Sequence, residues 1–260
     1  MQIPIRIIGI TTTFFWIFLI AFFVSAVYSV KDLHINFDEP QLNVTADNKI
    51  VFSLPLTITN NGFYSLGDFN LTTQISDAES FVIASGTTFM PIINRDEAAT
   101  VTHNVTIDFN ELLQHDMHFL FNDTELKICE IVGMKIAEMV PIQASTNYSM
   151  PWGAPLYNFA LGQPQYLAAN LTHLQVNLPI SFENHAFFNV TGNLKIQMYN
   201  NASLLLGEGQ ISMDVLQQSS YDGIVEFYVL RSEITDNGYL EVSILTPIFN
   251  YEDLVIPYGR

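Results

Sequence analysis

Glu111, His115, His118 and Asn122 carry the strongest hint of chemistry in this 260-residue chain. They stand at i, i+4, i+7 and i+11 in "DFNELLQHDMHFLFN", Asp108 to Asn122, so an unbroken helix would place them on one face. A carboxylate and two imidazoles in that arrangement can ligate zinc or copper. The set nevertheless lacks an H-E-x-x-H signature and an assignable fourth ligand, and Asn122 opens an N-D-T sequon whose glycan would crowd the site. The same spacing is what a solvated polar face shows. That reading is adopted here: no catalytic residue, no metal, no cofactor, with Glu111, His115 and His118 retained only as candidate ligands.

No other pattern competes. There is no nucleophile elbow, no Walker loop and no dinucleotide fingerprint. The acidic stretches at Asn94–Glu97 and Asn122–Glu125 lack EF-hand spacing and read as ordinary loops. His34, His103, His173 and His185 are scattered and receive no role. Cys129 is the only cysteine, so no intrachain disulfide forms. In the strand-like "ELKICEIVG" it reads as a small buried hydrophobe, because its acidic surroundings would not favour a thiolate. The chain is read as a non-enzyme.

The elements that would position Glu111 and the two histidines come from a repeat. "LPLTITNNGFYSLGDF" (Leu54 to Phe69) is matched by "LPISFENHAFFNVTGNL" (Leu178 to Leu194), with Leu54-Pro55 against Leu178-Pro179, Asn60 against Asn184 and Phe63 against Phe187. "SFVIASG" from Ser80 parallels "SLLLGEG" from Ser203, and the copies close on Pro151-Trp152-Gly153 and Pro257-Tyr258-Gly259. A repeat of this period sets the architecture before any local reading does. Period-2 alternation, as in Leu194, Ile196 and Met198 or Phe69 and Leu71, predicts strands with one buried side. Short strands with turns every 8–12 residues predict an all-β chain of two tandem Ig-like or fibronectin-type-III-like β-sandwiches. The first spans 35–153, with a helix inserted near 108–122. Asp108 is its N-cap, and Leu113, Met117 and Leu120 form its buried stripe. A linker at 154–163 leads to the second, 164–260. In that copy Asp236-Asn237-Gly238 predicts a tight hairpin in place of the helix.

These motifs resemble the group-2 late-embryogenesis-abundant or WHy (water stress and hypersensitive response) domain. The shared features are an asparagine-to-aromatic turn after a long strand, an alternating strand, then a short serine–aliphatic–glycine strand. The resemblance implies two seven-stranded Ig-like sandwiches behind a membrane anchor, associated with stress tolerance or surface interaction, with no active site to carry over. The sequons and the inserted helix depart from that family and favour a cell-surface role.

No charge separates Arg6 from Lys31, and the 24 residues Ile7 to Val30 suffice to span a bilayer as one helix. Arg6 and the terminal amine place residues 1–6 in the cytoplasm and 31–260 outside, with a single-pass signal anchor at 7–30. The rival is a cleaved signal peptide with Val24 and Ala26 before the cut, but its apolar core would be unusually long. Sequons at Asn43, Asn70, Asn104, Asn122, Asn147, Asn170, Asn189 and Asn201 mark a glycoprotein. With 26 acidic against 9 basic residues the net charge is −17, which excludes a nucleic-acid partner. The expected partners are the bilayer through 7–30 and, outside, surface proteins, glycans or further copies of the chain. The alternative is an accessory or scaffold subunit of an integral membrane complex, which would need an apolar, sequon-free face.

Overall fold

The computed structural model describes residues 3–45, 47 and 49–259, with their side chains except for residues 3–11 and 253. Of the expected cytoplasmic segment 1–6, residues 1 and 2 lie outside the described residues. Helix α1 (Ile3–Val30) leads the chain. The first half follows with β1 (Leu33–Phe37), β2 (Gln41–Val44), β3 (Lys49–Asn60), β4 (Leu66–Ser76), β5 (Val82–Ile93) and β6 (Glu97–Asp108). It continues through α2 (Phe109–His115), α3 (His118–Phe121), β7 (Thr124–Ile136) and β8 (Val140–Trp152). The second half holds β9 (Tyr157–Leu161), β10 (Gln165–Ala168), β11 (His173–Asn184), β12 (Val190–Asn200) and β13 (Leu205–Val215). It ends with β14 (Ser219–Leu230), β15 (Asn237–Leu245) and β16 (Asn250–Gly259).

The two halves repeat one topology. In the first, the short strands β1 and β2 share one edge of β3, and β6 pairs with the other edge. In the second, β9 and β10 share one edge of β11, and β14 takes the other. The companion sheets run β5-β4-β7-β8 and β13-β12-β15-β16. Alternation decides which side chains turn in. Leu194, Ile196 and Met198 are fully buried, as are Phe69 and Leu71 to within a few per cent. Cys129 departs from expectation. Leu126 and Ile128 take the inward positions of β7, so the next residue faces out and Cys129 is only half-buried.

A buried asparagine recurs at the same place in each half. Asn60 Nδ2 donates to the carbonyls of Tyr64, Ile93 and Asn94, while its Oδ1 accepts from the Gly62 amide. Asn184 Nδ2 donates to Phe188, Val215 and Leu216, and its Oδ1 accepts from Ala186. Each ties the loop after β3 or β11 to the end of β5 or β13, joining the two sheets. A second pair stands at the opposite end. Asp77 Oδ1 accepts from the amides of Glu79 and Phe81, and Asn200 Oδ1 from those of Ala202 and Leu204.

Three further expectations are corrected. Asp108 does cap α2 through the amides of Asn110 and Glu111, but the expected helix over 108–122 breaks at Asp116. There the backbone is extended and the Asp116 side chain accepts from the His118 amide, a local bond that competes with helix continuation. Met117 is thereby turned outward at 45% exposure, and Phe109, Leu112 and Phe119 take its place inside. The Asp236-Asn237-Gly238 stretch is not a hairpin. β14 pairs with β11 and β15 with β12, so residues 231–236 cross from one sheet to the other, as α2 and α3 do in the first half. Nor is 154–163 a free linker. It holds β9, registered against β11 with Leu161 opposite Ile180, and Ala154 and Leu156 are fully buried.

The halves also share an apolar core. Phe109 packs on Phe188 and Phe249 at 5.6 Å between ring centroids in both cases, Trp152 on Phe187 at 5.7 Å, and Phe121 on Tyr251 at 5.8 Å. One cluster runs from Ile50 and Ile107 of the first half to Leu194 and Val242 of the second. Gly153 lies so close to the His185 carbonyl that a Cβ there would collide with it.

Two outcomes follow for thermal unfolding of the full chain in detergent, followed by circular dichroism and calorimetry. Phe109→Ala removes an aromatic ring shared by both halves, so it should cost about 3–5 kcal/mol and shift a single transition. A first-half transition that moves alone would show that the shared core does not couple them. Asn184→Asp removes the donor to the buried carbonyl contacts of Phe188 and Val215 and to the part-buried one of Leu216, and should cost at least about 2 kcal/mol. A melting temperature within about 2 °C of the parent would disprove the role given to this amide.

Candidate functional site

The single face of Glu111, His115 and His118 expected from an unbroken helix does not assemble. Glu111 stays exposed in the first turn of α2. His115, at its end, turns toward β4, with Nε2 3.0 Å from Asp77 Oδ2 and its ring stacked on Phe81 at 3.6 Å. His118 lies beyond the break, its side chain 81% exposed, with Nδ1 3.3 Å from Asp116 Oδ1. The two imidazoles thus serve different carboxylates. Among the described residues no three His, Cys, Asp or Glu side chains converge to hold a metal. Asp77, His115, Asp116, His118, Asn122 and Asp123 do line one open cleft of about 530 Å³, with the exposed sequon asparagine Asn122 on its wall. Burial pushes the Asp77 carboxyl up, but the Phe81 amide, His115 and the Glu79 amide outweigh it and hold the pKa below its ordinary value. This is the chemistry of a pinned turn: the Asp77–His115 contact fastens the sheet crossover to the turn after β4.

The more concentrated cluster escaped the sequence reading. His185 sits in the loop after β11, where the halves meet. Its Nδ1 is 2.7 Å from Asp123 Oδ2 and its Nε2 3.1 Å from Glu183 Oε2. Tyr157 stacks on the ring at 4.3 Å, and the His185 amide donates to the Ala154 carbonyl. Asp123 Oδ1 meanwhile accepts from the Ala154 amide. One imidazole therefore bridges a first-half carboxylate and a second-half carboxylate. The hydrogen bond to Asp123 raises the His185 pKa, partial burial opposes it, and Glu183 adds to the rise. Only position 185 of the repeat could have signalled this, since the first copy has Asn61 there.

His103 shows the opposite setting. It is buried on β6 with Nδ1 2.9 Å from Thr88 Oγ1 and Nε2 3.0 Å from Thr73 Oγ1, so both ring nitrogens are satisfied by hydroxyls. Burial lowers its pKa, with Glu130 opposing. Of the other histidines, His34 is exposed, and His173 Nδ1 lies 2.9 Å from the Thr172 hydroxyl.

The sequon asparagines are all accessible. Asn43, Asn70, Asn104, Asn122, Asn147, Asn170, Asn189 and Asn201 are exposed, whereas Asn60, Asn184 and Asn200 are buried. Four of the acceptors (Asn43, Asn70, Asn104 and Asn147) lie on strands of the first half, in both of its sheets. The second half carries Asn170, Asn189 and Asn201 in its loops.

No protein-family model matches the chain, and no curated protein is similar to it in sequence. Several solved structures show a distant, low-scoring likeness to it. A protein from Archaeoglobus fulgidus is 12% identical with a TM-score of 0.31, over 44% of this chain and 98% of that one. The red sea bream transglutaminase is 13% identical with a TM-score of 0.30, over 88% of this chain and 31% of the enzyme. A glycosyl hydrolase family 2 member from Bacteroides cellulosilyticus DSM 14838 is 8% identical with a TM-score of 0.35, over 86% and 31%. Likeness at this level carries no argument about function.

The two perturbed histidines make opposite predictions for stability against pH. His185 has a folded pKa above its unfolded value of about 6.5, so its contribution is full below that value and fades as pH rises through the raised pKa. His103 has a folded pKa below about 6.5, so its contribution is full above that value and fades as pH falls through the window beneath it. Melting curves from pH 5 to 9 should show the deficit of His185→Gln shrinking toward alkaline pH. A deficit that is constant across the range would contradict the protonated bridge.

Proposed function

We propose that this chain is a membrane-anchored, exported protein without enzymatic activity, whose β-halves serve binding or structure at the cell surface. The observation that carries this reading is how α1 joins the fold. Its stretch Thr12–Val30 is apolar enough to cross a bilayer, with Phe14, Phe18 and Ile20 exposed. Yet Ala26 and Ser29, near its end, are buried. Ser25 Oγ lies 2.6 Å from the Tyr64 hydroxyl, and Ser29 Oγ accepts from the Phe63 amide at 2.9 Å. A Cβ on Gly62 would strike Ser29, so the loop is shaped around the helix. A signal peptide cut after Ala26 would strip away part of a packed contact, which favours retention of the anchor.

On this reading residues 7–30 form the membrane anchor, the N-terminus is cytoplasmic, and 31–260 form two fibronectin-type-III-like sandwiches outside. The repeated strand order and the paired Asn60 and Asn184 support two copies of one sandwich. The eight exposed acceptors support a glycan coat, which would keep a surface with few charges soluble. One observation favours the accessory-subunit alternative. The outer face of β14 carries no sequon and exposes Ile224 and Tyr228.

The test is to isolate the mature chain from eukaryotic membranes, extract with alkaline carbonate, and sequence the N-terminus with and without glycosidase treatment. The expected product stays in the membrane pellet, retains residues 12–30 and loses mass on deglycosylation. A soluble product starting near Val27 would rule out the anchor.

A further inference from the structure

The anchored reading sets a depth for the first half, and the inference drawn here rests on that reading. A bilayer core takes about 20 helical residues. Arg6 is the last charge before Lys31, so a span beginning at Ile7 ends near Ala26. Helix α1 nevertheless continues to Val30 without a break. The Tyr64 ring packs on Phe22 at 5.6 Å, and its hydroxyl reaches Ser25. Phe22 therefore lies about 6 Å inside the hydrocarbon boundary, at 1.5 Å per residue, and Tyr64 lies beside it.

Two more segments share this end of the molecule. The Ala137 amide donates to the Ser65 carbonyl, which brings the turn after β7 against the Tyr64 loop, and the Asp96 amide donates to the Asn60 carbonyl. Ala26 packs in the same cluster as Ile93 and Ile136. Around the helix this rim presents Phe63 at 55% exposure and Met139 at 67%, with Tyr28 exposed on α1 itself. Large apolar side chains at loop tips cost nothing at the edge of a bilayer, and an aromatic belt is favoured there. The accompanying charges are Arg95 paired with Asp96 at 3.1 Å, Lys135 with Asp68 at 2.6 Å, and the exposed Glu138 of the 137–139 turn itself, and all suit the hydrated headgroup layer. Backbone groups of a loop can stay solvated at that level, though not deeper.

We propose that the rim formed by the loops at 61–65 and 137–139 is a lipid-contact surface, with Phe63 and Met139 dipping into the headgroup–acyl boundary beside α1. The first half is thereby seated on the bilayer rather than suspended above it. A zwitterionic surface is the partner that fits, because a chain with net charge −17 is repelled by anionic lipid.

The experiment uses the full chain in phosphatidylcholine proteoliposomes, in a Cys129→Ser background. Single substitutions Phe18→Cys, Phe63→Cys, Met139→Cys and Leu171→Cys each take an environment-sensitive fluorophore. Leu171 is 96% exposed, at the far end of the second half, and serves as the aqueous control. Each sample is then quenched in turn with lipid carrying a nitroxide high on its acyl chain, which reads positions 63 and 139, and with lipid carrying one near the chain end, which reads position 18. The labels at 63 and 139 should lose at least about half of their intensity, as an interfacial site does, while the label at 171 keeps nearly all. Labels at 63 and 139 as unquenched as 171, with 18 quenched, would overturn the lipid seat and leave the anchor standing. An unquenched label at 18 would instead overturn the anchor and the seat together. All four positions are largely exposed, so the β-rich circular dichroism spectrum and the melting transition should be retained and confirm folding.

Discussion

A single carboxamide closes each half of this protein. Asn60 and Asn184 lie at the end of the long strands β3 and β11, fully buried, and each makes four hydrogen bonds to backbone groups on two separate segments. The two donors and one acceptor of an amide are what the site needs. A carboxylate would face three carbonyls, and an alkyl side chain would leave them unpaired in a dry core. The loop that follows each asparagine is shaped by this bond set, and that loop is where each half meets its neighbour. In the first half it receives α1 through Tyr64 and Gly62. In the second it receives the first half through Phe187 and Phe188. One local motif thus builds both longitudinal contacts of the molecule.

The opposite ends are closed by a related device with different chemistry. Asp77 and Asn200 shape equivalent turns through the same amide pattern, and each also holds the crossover between sheets. Asn200 does so by donating to the Glu233 carbonyl at 3.2 Å. Asp77 has no proton to donate when ionised and instead faces the imidazole of His115. The longer crossover of the first half, with α2 and α3, therefore comes with an ionisable contact. The short crossover of the second half does without one. Longer also means wider, and the extra helices deliver Phe109, Phe119 and Phe121 to the joint between halves.

The sequence made local periodicity and repetition legible, and these were enough for the strands, the duplication and the inward faces of Leu194, Ile196 and Met198. Asn60 and Asn184 stood out as a pair, although nothing in one dimension said that they were buried. Several misreadings share a cause: the group concerned has its partner far along the chain. Asn-Gly at 237–238 has hairpin chemistry, but its register is set by β12, some forty residues upstream. Phe109 received no reading in one dimension, because its partners Phe188 and Phe249 lie in the other half. The Glu111, His115 and His118 face was a sound inference from an unbroken helix, and the Asp116 side chain undid it. His185 had no motif at all, because the carboxylate that defines it, Asp123, comes from the other half.

The joint at Phe109 and Trp152 also fixes how the molecule stands. If α1 anchors the chain as proposed, a pair of beads on flexible string would sweep a hemisphere above the membrane. In this chain the helix packs on the first half, and that half shares an aromatic core with the second, so the outermost loops near Leu171 and Asn201 are held like the head of a post. A post samples a thin shell at one height. For the binding role proposed above, partners presented at that height would meet the tip at high local concentration, and partners fixed nearer or farther would not. Reach, rather than surface chemistry alone, becomes a term in selectivity.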